Sequence, residues 1–159
     1  MATQKAARKR RQVVAIVAIV IIAAGFGAGS LISIGARSTS SPVFTQSSPI
    51  LDELVTVEAG SFKHFEFNVN EDIANAAVMG SFTSAGSNLD NDIVVSVVPE
   101  LAVQNINEGK AYQAFYFSGK TASGEVNADI LERGTMYVIV DNRFSDTPKV
   151  VDVNIELAY

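Results

Sequence analysis

The chain has no cysteine among its 159 residues, so neither a disulfide framework nor a thiolate site is available, and stability must come from packing. It has a single histidine, His64, whereas a metal site usually needs three or four converging ligands. No Gly-Xaa-Ser-Xaa-Gly elbow, phosphate-cradling Gly-Lys loop or His-Glu-Xaa-Xaa-His occurs, so the common hydrolase, nucleotide and zinc-protease signatures are missing. None of the ten asparagines begins an Asn-Xaa-Ser/Thr acceptor. No repeat of 20 to 50 residues suggests a propeller or solenoid. Acidic residues are missing from the first 37 positions, which hold six of the 12 basic ones; the remainder therefore carries all 17 acids and a formal charge of −11. A surface of that sign repels phosphate backbones, which argues against nucleic acid as a partner and is otherwise the solvated surface of a soluble domain.

What the N-terminus does have is one long apolar run. Val13 to Ile34 reads VVAIVAIVIIAAGFGAGSLISI, 22 residues without a charge. As a helix rising roughly 1.5 Å per residue it spans a hydrocarbon core of about 30 Å. Lys5, Arg8, Lys9, Arg10 and Arg11 precede it and only Arg37 follows closely. The positive-inside rule then keeps residues 1–12 as a basic cytoplasmic tail and sends the C-terminal part outside a cell membrane, in single-pass, signal-anchor fashion. A cleaved signal peptide is the competing reading, although its apolar core would be about 7 to 15 residues, shorter than this one. Gly25 and Gly29 form a Gly-Xaa-Xaa-Xaa-Gly, extended by Ala24 and Ala28, and mark a possible contact between two such helices and hence a homo-oligomer.

Residues 35–49, GARSTSSPVFTQSSP, form a Ser/Thr/Pro linker whose prolines stop any helix leaving the membrane. From residue 50 to 159 the period becomes two. Phe65, Phe67 and Val69 alternate with His64, Glu66 and Asn68, and Val151, Val153, Ile155 and Leu157 alternate with Asp152, Asn154 and Glu156. Ile93–Val98 and Met136–Val140 are apolar almost throughout, which suits central strands covered on both faces. Further strands are expected over 51–58, 76–83, 111–118 and 125–131, separated by turns at 59–60, 84–91, 105–109, 119–124, 133–134 and 145–148. About eight short strands, with no amphipathic helix and no βαβ rhythm, predict an all-β fold, an antiparallel β-sandwich behind one N-terminal transmembrane helix.

The candidate site residues have structural readings at least as good as functional ones. His64 falls on a wet face with Glu66 two residues on, the position of an exposed bystander. Asn88, Asp90 and Asp92 have the spacing that starts a calcium loop, but Ile93 stands where that loop needs Gly and Pro99 where it needs a bidentate Glu. Asp141 and Asn142 suit the turn at the end of the Tyr137 strand, and Gly134 supplies a positive φ before it. Tyr112, Phe115, Tyr116 and Phe117 have mixed faces, which fits core filling better than a stacking platform.

Gly80 to Val97 (GSFTSAGSNLDNDIVVSV) and Ser123 to Tyr159 (SGEVNADILERGTMYVIVDNRFSDTPKVVDVNIELAY) together resemble GOLD (Golgi dynamics) domains and their prokaryotic membrane-anchored relatives. The resemblance lies in a Tyr-bearing apolar strand after a Gly turn, an Asp-Asn at its end, a Phe-Ser and a closing alternating strand. It covers about a third of the chain and implies a β-sandwich that binds proteins or lipids and catalyses nothing. The luminal Cys pair, coiled coil and C-terminal anchor of the eukaryotic cargo adaptors are missing, so their trafficking role does not transfer. The expected function is a non-catalytic, membrane-tethered extracytoplasmic interaction or assembly module with no cofactor, no catalytic residue and no metal. It contacts lipid through the helix and a protein partner through the domain. The alternatives are a pilin-like filament subunit, weakened by Gly25, Gly27, Gly29 and the linker prolines, and an envelope hydrolase without a motif.

Overall fold

The computed structural model of the chain describes residues 20–22, 43–86 and 91–159. In chain order the elements are β1 (Val20–Ile22), β2 (Ser47–Val57), β3 (Phe62–Val69), β4 (Ala76–Gly86), β5 (Val94–Pro99), α1 (Glu100–Asn107), β6 (Tyr112–Ala114), β7 (Tyr116–Phe117), β8 (Ser123–Ile130), β9 (Gly134–Asp141) and β10 (Lys149–Ala158). Two four-stranded sheets, β2-β10-β4-β8 and β3-β9-β5-β7, are antiparallel throughout. The all-β class expected from period-two alternation is therefore what the chain adopts.

One core lies between the sheets. The first sheet sends in Leu51, Val55, Val57, Val78, Phe82, Val126, Ile130 and the inward row of β10, and the second sends in Phe67, Val69, Val95, Val97, Met136, Val138 and Val140. Val151, Val153, Ile155 and Leu157 are buried while Asp152 and Asn154 are exposed, the alternation that a two-residue period requires. Two glycines permit close approaches. At Gly80 (φ 149°) a Cβ would stand 2.0 Å from the Asn154 carbonyl oxygen, beside the register shift between Ile155 and Glu156. Opposite Phe82, Gly124 leaves room for the ring, which would lie 2.9 Å from any added Cβ.

Three expectations need correction. The helix α1 occupies 100–107, where no amphipathic helix was expected and only a turn over 105–109: eight residues are too few for a 3.6-residue period to stand out. Pro99 opens it, its fixed φ of −72° suiting a helix entry, and Ala102 and Ile106, four apart, form its buried side. The strand expected over 111–118 breaks at Phe115 into β6 and β7. Residues 45–49, expected within the linker, already belong to the folded domain: the N–H groups of Thr45 and Gln46 both donate to the Tyr159 carbonyl and β2 begins at Ser47. Pro49 is accommodated because β2 is an edge strand, where no ladder donor is required of every residue.

Of the apolar run only Val20–Ile22 lies among the described residues: these three β-branched residues form a short extended strand paired with β6, within the bounds expected of the transmembrane helix. The rest of 13–34, with Gly25 and Gly29, lies outside the described residues, as do Asn88 and Asp90. No helix among the described residues is long and apolar enough to cross a membrane.

The assigned faces have a direct test. Val153 is fully buried on β10 between β2 and β4, so Val153→Asp puts an unpaired carboxylate in the core and should cost several kcal/mol, a large share of the 5–15 kcal/mol typical of a domain. Asp152→Val, on the wet side of the same strand, should change stability by about 0.5 kcal/mol or less. Thermal melts of the two variants give the comparison, and equal losses would contradict the register.

Candidate functional site

The second sheet has an outer face as well as an inner one, and it is there that polar and aromatic side chains gather. Because β5 and β9 are apolar on both sides, α1 lies across them: Ala102 and Ile106 pack with Val98, Ile139, Tyr112 and Ala114 in a second, smaller cluster. The helix leaves uncovered a strip running over β3 and β9. On it the His64 ring meets Tyr137 edge-on at 5.5 Å and lies 6.2 Å from Phe62. The Tyr137 hydroxyl donates to Glu66 Oε2 at 3.1 Å, across the register pair Glu66 and Tyr137. Beside the strip, Glu100, Val103, Gln104, Asn107 and Tyr137 line an open groove of about 630 Å³.

At one end of the strip stands Arg143. Its guanidinium is held by both carboxylate oxygens of Asp141 at 2.7–3.0 Å, donates to the Ile106 carbonyl in the last turn of α1 at 2.9 Å, and lies 5.2 Å from the Phe62 ring. A cation at the C-terminal end of a helix meets both its dipole and its unpaired carbonyls. The last turn of α1 contains no basic residue of its own, so a residue 37 positions away does this work. The Asp141 bonds push the Arg143 guanidinium further toward its charged form.

Asn142 is fully buried, and its amide nitrogen donates to the carbonyls of Val57, Glu58 and Thr147, tying β2 and the loop before β10 to the end of β9. Asp141 Oδ1 also accepts from the Arg143 N–H, the local turn bond anticipated for this residue type. Gly134 has the expected positive φ, 108°. The carbonyl of Asp92, the last of the three residues with calcium-loop spacing, accepts from the buried ammonium of Lys149 at 2.6 Å, so a protein cation stands beside it. His64 is exposed, as expected, but it is part of the aromatic strip rather than isolated. Tyr112 is buried under α1, while Phe115, Tyr116 and Phe117 are half-buried.

Among the described residues no three of His, Cys, Asp and Glu converge as metal ligands. The charged groups with the strongest geometry, Asp141 and Arg143, are committed to each other and to α1. Sequence reasoning missed Arg143, whose partners are distant in the chain; the one cue was its position two residues after Asp141, within reach of a shared turn.

Burial, then the charge of Asp141, raises the Tyr112 pKa above its ordinary value near 10, with Arg143 opposing. The folded state thus holds this proton more tightly than the unfolded chain does. Its contribution to stability is complete below about pH 10 and is lost as pH rises through the folded value. Tyr112→Phe should therefore flatten the alkaline fall of the melting temperature above pH 10 relative to the unaltered chain; an unchanged slope would count against a buried, protonated Tyr112. No known family model matches the chain, and no curated protein matches it.

Proposed function

We propose that this protein is a non-catalytic interaction or assembly module, a β-sandwich held outside the cell membrane by a single N-terminal helix. The observation that carries the tether is the charge-free run of 22 residues after five basic ones. The binding role draws support from the outer face of the second sheet, where exposed rings and carboxylates lie open while the Asn142 amide nitrogen and the Arg143 guanidinium bond backbone carbonyls within the fold. A GOLD-like relative, with protein or lipid binding and no catalysis, is consistent with that division. The partner is a protein, and the formal charge of −11 after residue 37 disfavours nucleic acid.

Orientation is tested by protease added to intact cells. The region after Ser38 should be digested while a tag on Ala2 survives, and loss of the tag with survival of the domain would reverse the topology.

Self-association through the helix is tested separately. Replacing Gly25 and Gly29 by Ile should abolish cross-linked dimers in membranes by blocking close approach of two backbones. Undiminished cross-linking would remove the helix as the contact.

A further inference from the structure

The lateral margins of the two sheets are not equally protected. β2 carries Pro49, Asp52 and Glu53, β3 carries Lys63 and Glu66, and β8 carries Glu125 and Asp129. Charges and proline on an edge strand discourage addition of a further strand. The remaining margin, β6 and β7, reads Tyr-Gln-Ala and Tyr-Phe, with neither charge nor proline. β7 is secured by pairing with β5, and its Tyr116 hydroxyl donates to the Glu125 carbonyl of β8 at 2.7 Å, which joins this margin to the first sheet.

β6 is placed differently. The Phe115 N–H donates to the Val97 carbonyl at 2.8 Å, but β5 ends at Pro99, which has no N–H, and the chain then turns into α1. Tyr112–Ala114 therefore runs on beyond the end of β5. Among the described residues its strand partner is β1, in antiparallel register with Val20 opposite Ala114, Ile21 opposite Gln113 and Ile22 opposite Tyr112. An uncharged edge that has run past its neighbour still has N–H and C=O groups to satisfy, and an extended β-branched segment satisfies them by adding a strand.

We infer that the β6 edge is a strand-acceptor site whose occupant is the apolar segment of this chain around Val20–Ile22. This bears on the proposed tether, because a segment that spans lipid must be helical and cannot be paired with β6 in the same copy. Bilayer and edge compete for one stretch of chain, and a copy whose segment is in the membrane presents β6 to the segment of a copy whose segment is not.

The absence of native cysteine makes the test clean. In the full chain, Ile21→Cys with Gln113→Cys puts thiols on directly opposed residues, at a spacing that antiparallel pairs and disulfides share. Synthesised without membranes and mildly oxidised, this pair should form a disulfide, mapped by mass spectrometry, in several-fold greater yield than Ile21→Cys with Asp152→Cys on the outer face of the other sheet. A bond within one chain places the strand in cis, and a bond between chains means exchange between copies; both support the acceptor site. Equal yields from the two pairs, or two thiols that remain open to maleimide, overturn it and leave the tether untouched, since protease protection judges that separately. Phospholipid vesicles present during synthesis should deplete the disulfide; undiminished formation on vesicles would keep the strand site and count against the tether.

Discussion

Two strands of this domain, β5 and β9, are largely apolar on both faces, and most of the second sheet's architecture answers that constraint. Val95, Val97, Met136, Val138 and Val140 point into the core between the sheets, while Val98 and Ile139 point the other way. Left exposed, that outer apolar surface would favour association with other chains. The chain covers it locally, by turning at Pro99 into eight residues of helix that fold back over the strand just completed. The helix is too short to be stable alone, so it depends on the sheet as the sheet depends on it. Arg143, returning from the end of β9, fastens its last turn, and Asp141 fastens Arg143.

The surface left beside α1 follows from the same arrangement. The helix runs beside Tyr137 and not over it, with Glu100, Val103, Gln104 and Asn107 facing the ring across the groove, and it stops at Asn107, with Gly109 (φ 66°) beyond it. The ring strip and its groove are thus the uncovered remainder of a face that is mostly sealed. β6 has the same origin. It must lie against α1 to bury Tyr112 and Ala114, and in doing so it passes the end of β5 and presents an edge.

Much of the fold was legible in the sequence because β-strands declare themselves by a two-residue period. The wet and dry rows of β3 and β10 follow directly from residues 64–69 and 151–157, and the double burial of most of β5 and β9 follows from their almost wholly apolar runs. What covered them was not legible. ELAVQNIN has only Ala102 and Ile106 to mark a buried side, too little to distinguish from a turn. The aromatic strip was only half visible: His64 and Glu66 could be placed on one wet face, but their meeting with Tyr137 depends on the pairing of β3 with β9, across about seventy residues of chain. Arg143 and Lys149 were hidden for the same reason, since a cation that satisfies remote carbonyls leaves no local pattern. The apolar run illustrates the opposite limit: its composition suits a membrane helix and its β-branched centre suits a strand, and local sequence does not choose between two solvents.

If α1 and the two central strands form one cooperative unit, their amides should open together. Native-state hydrogen exchange on the full chain measures this residue by residue. The account predicts that the hydrogen-bonded amides near the C-terminal end of α1, Glu108 and Gly109 among them, exchange with an opening free energy close to that of β5 and β9. Rapid exchange through α1 while β5 and β9 stay fully protected would show that the sheet does not need its cover, and would contradict the central claim.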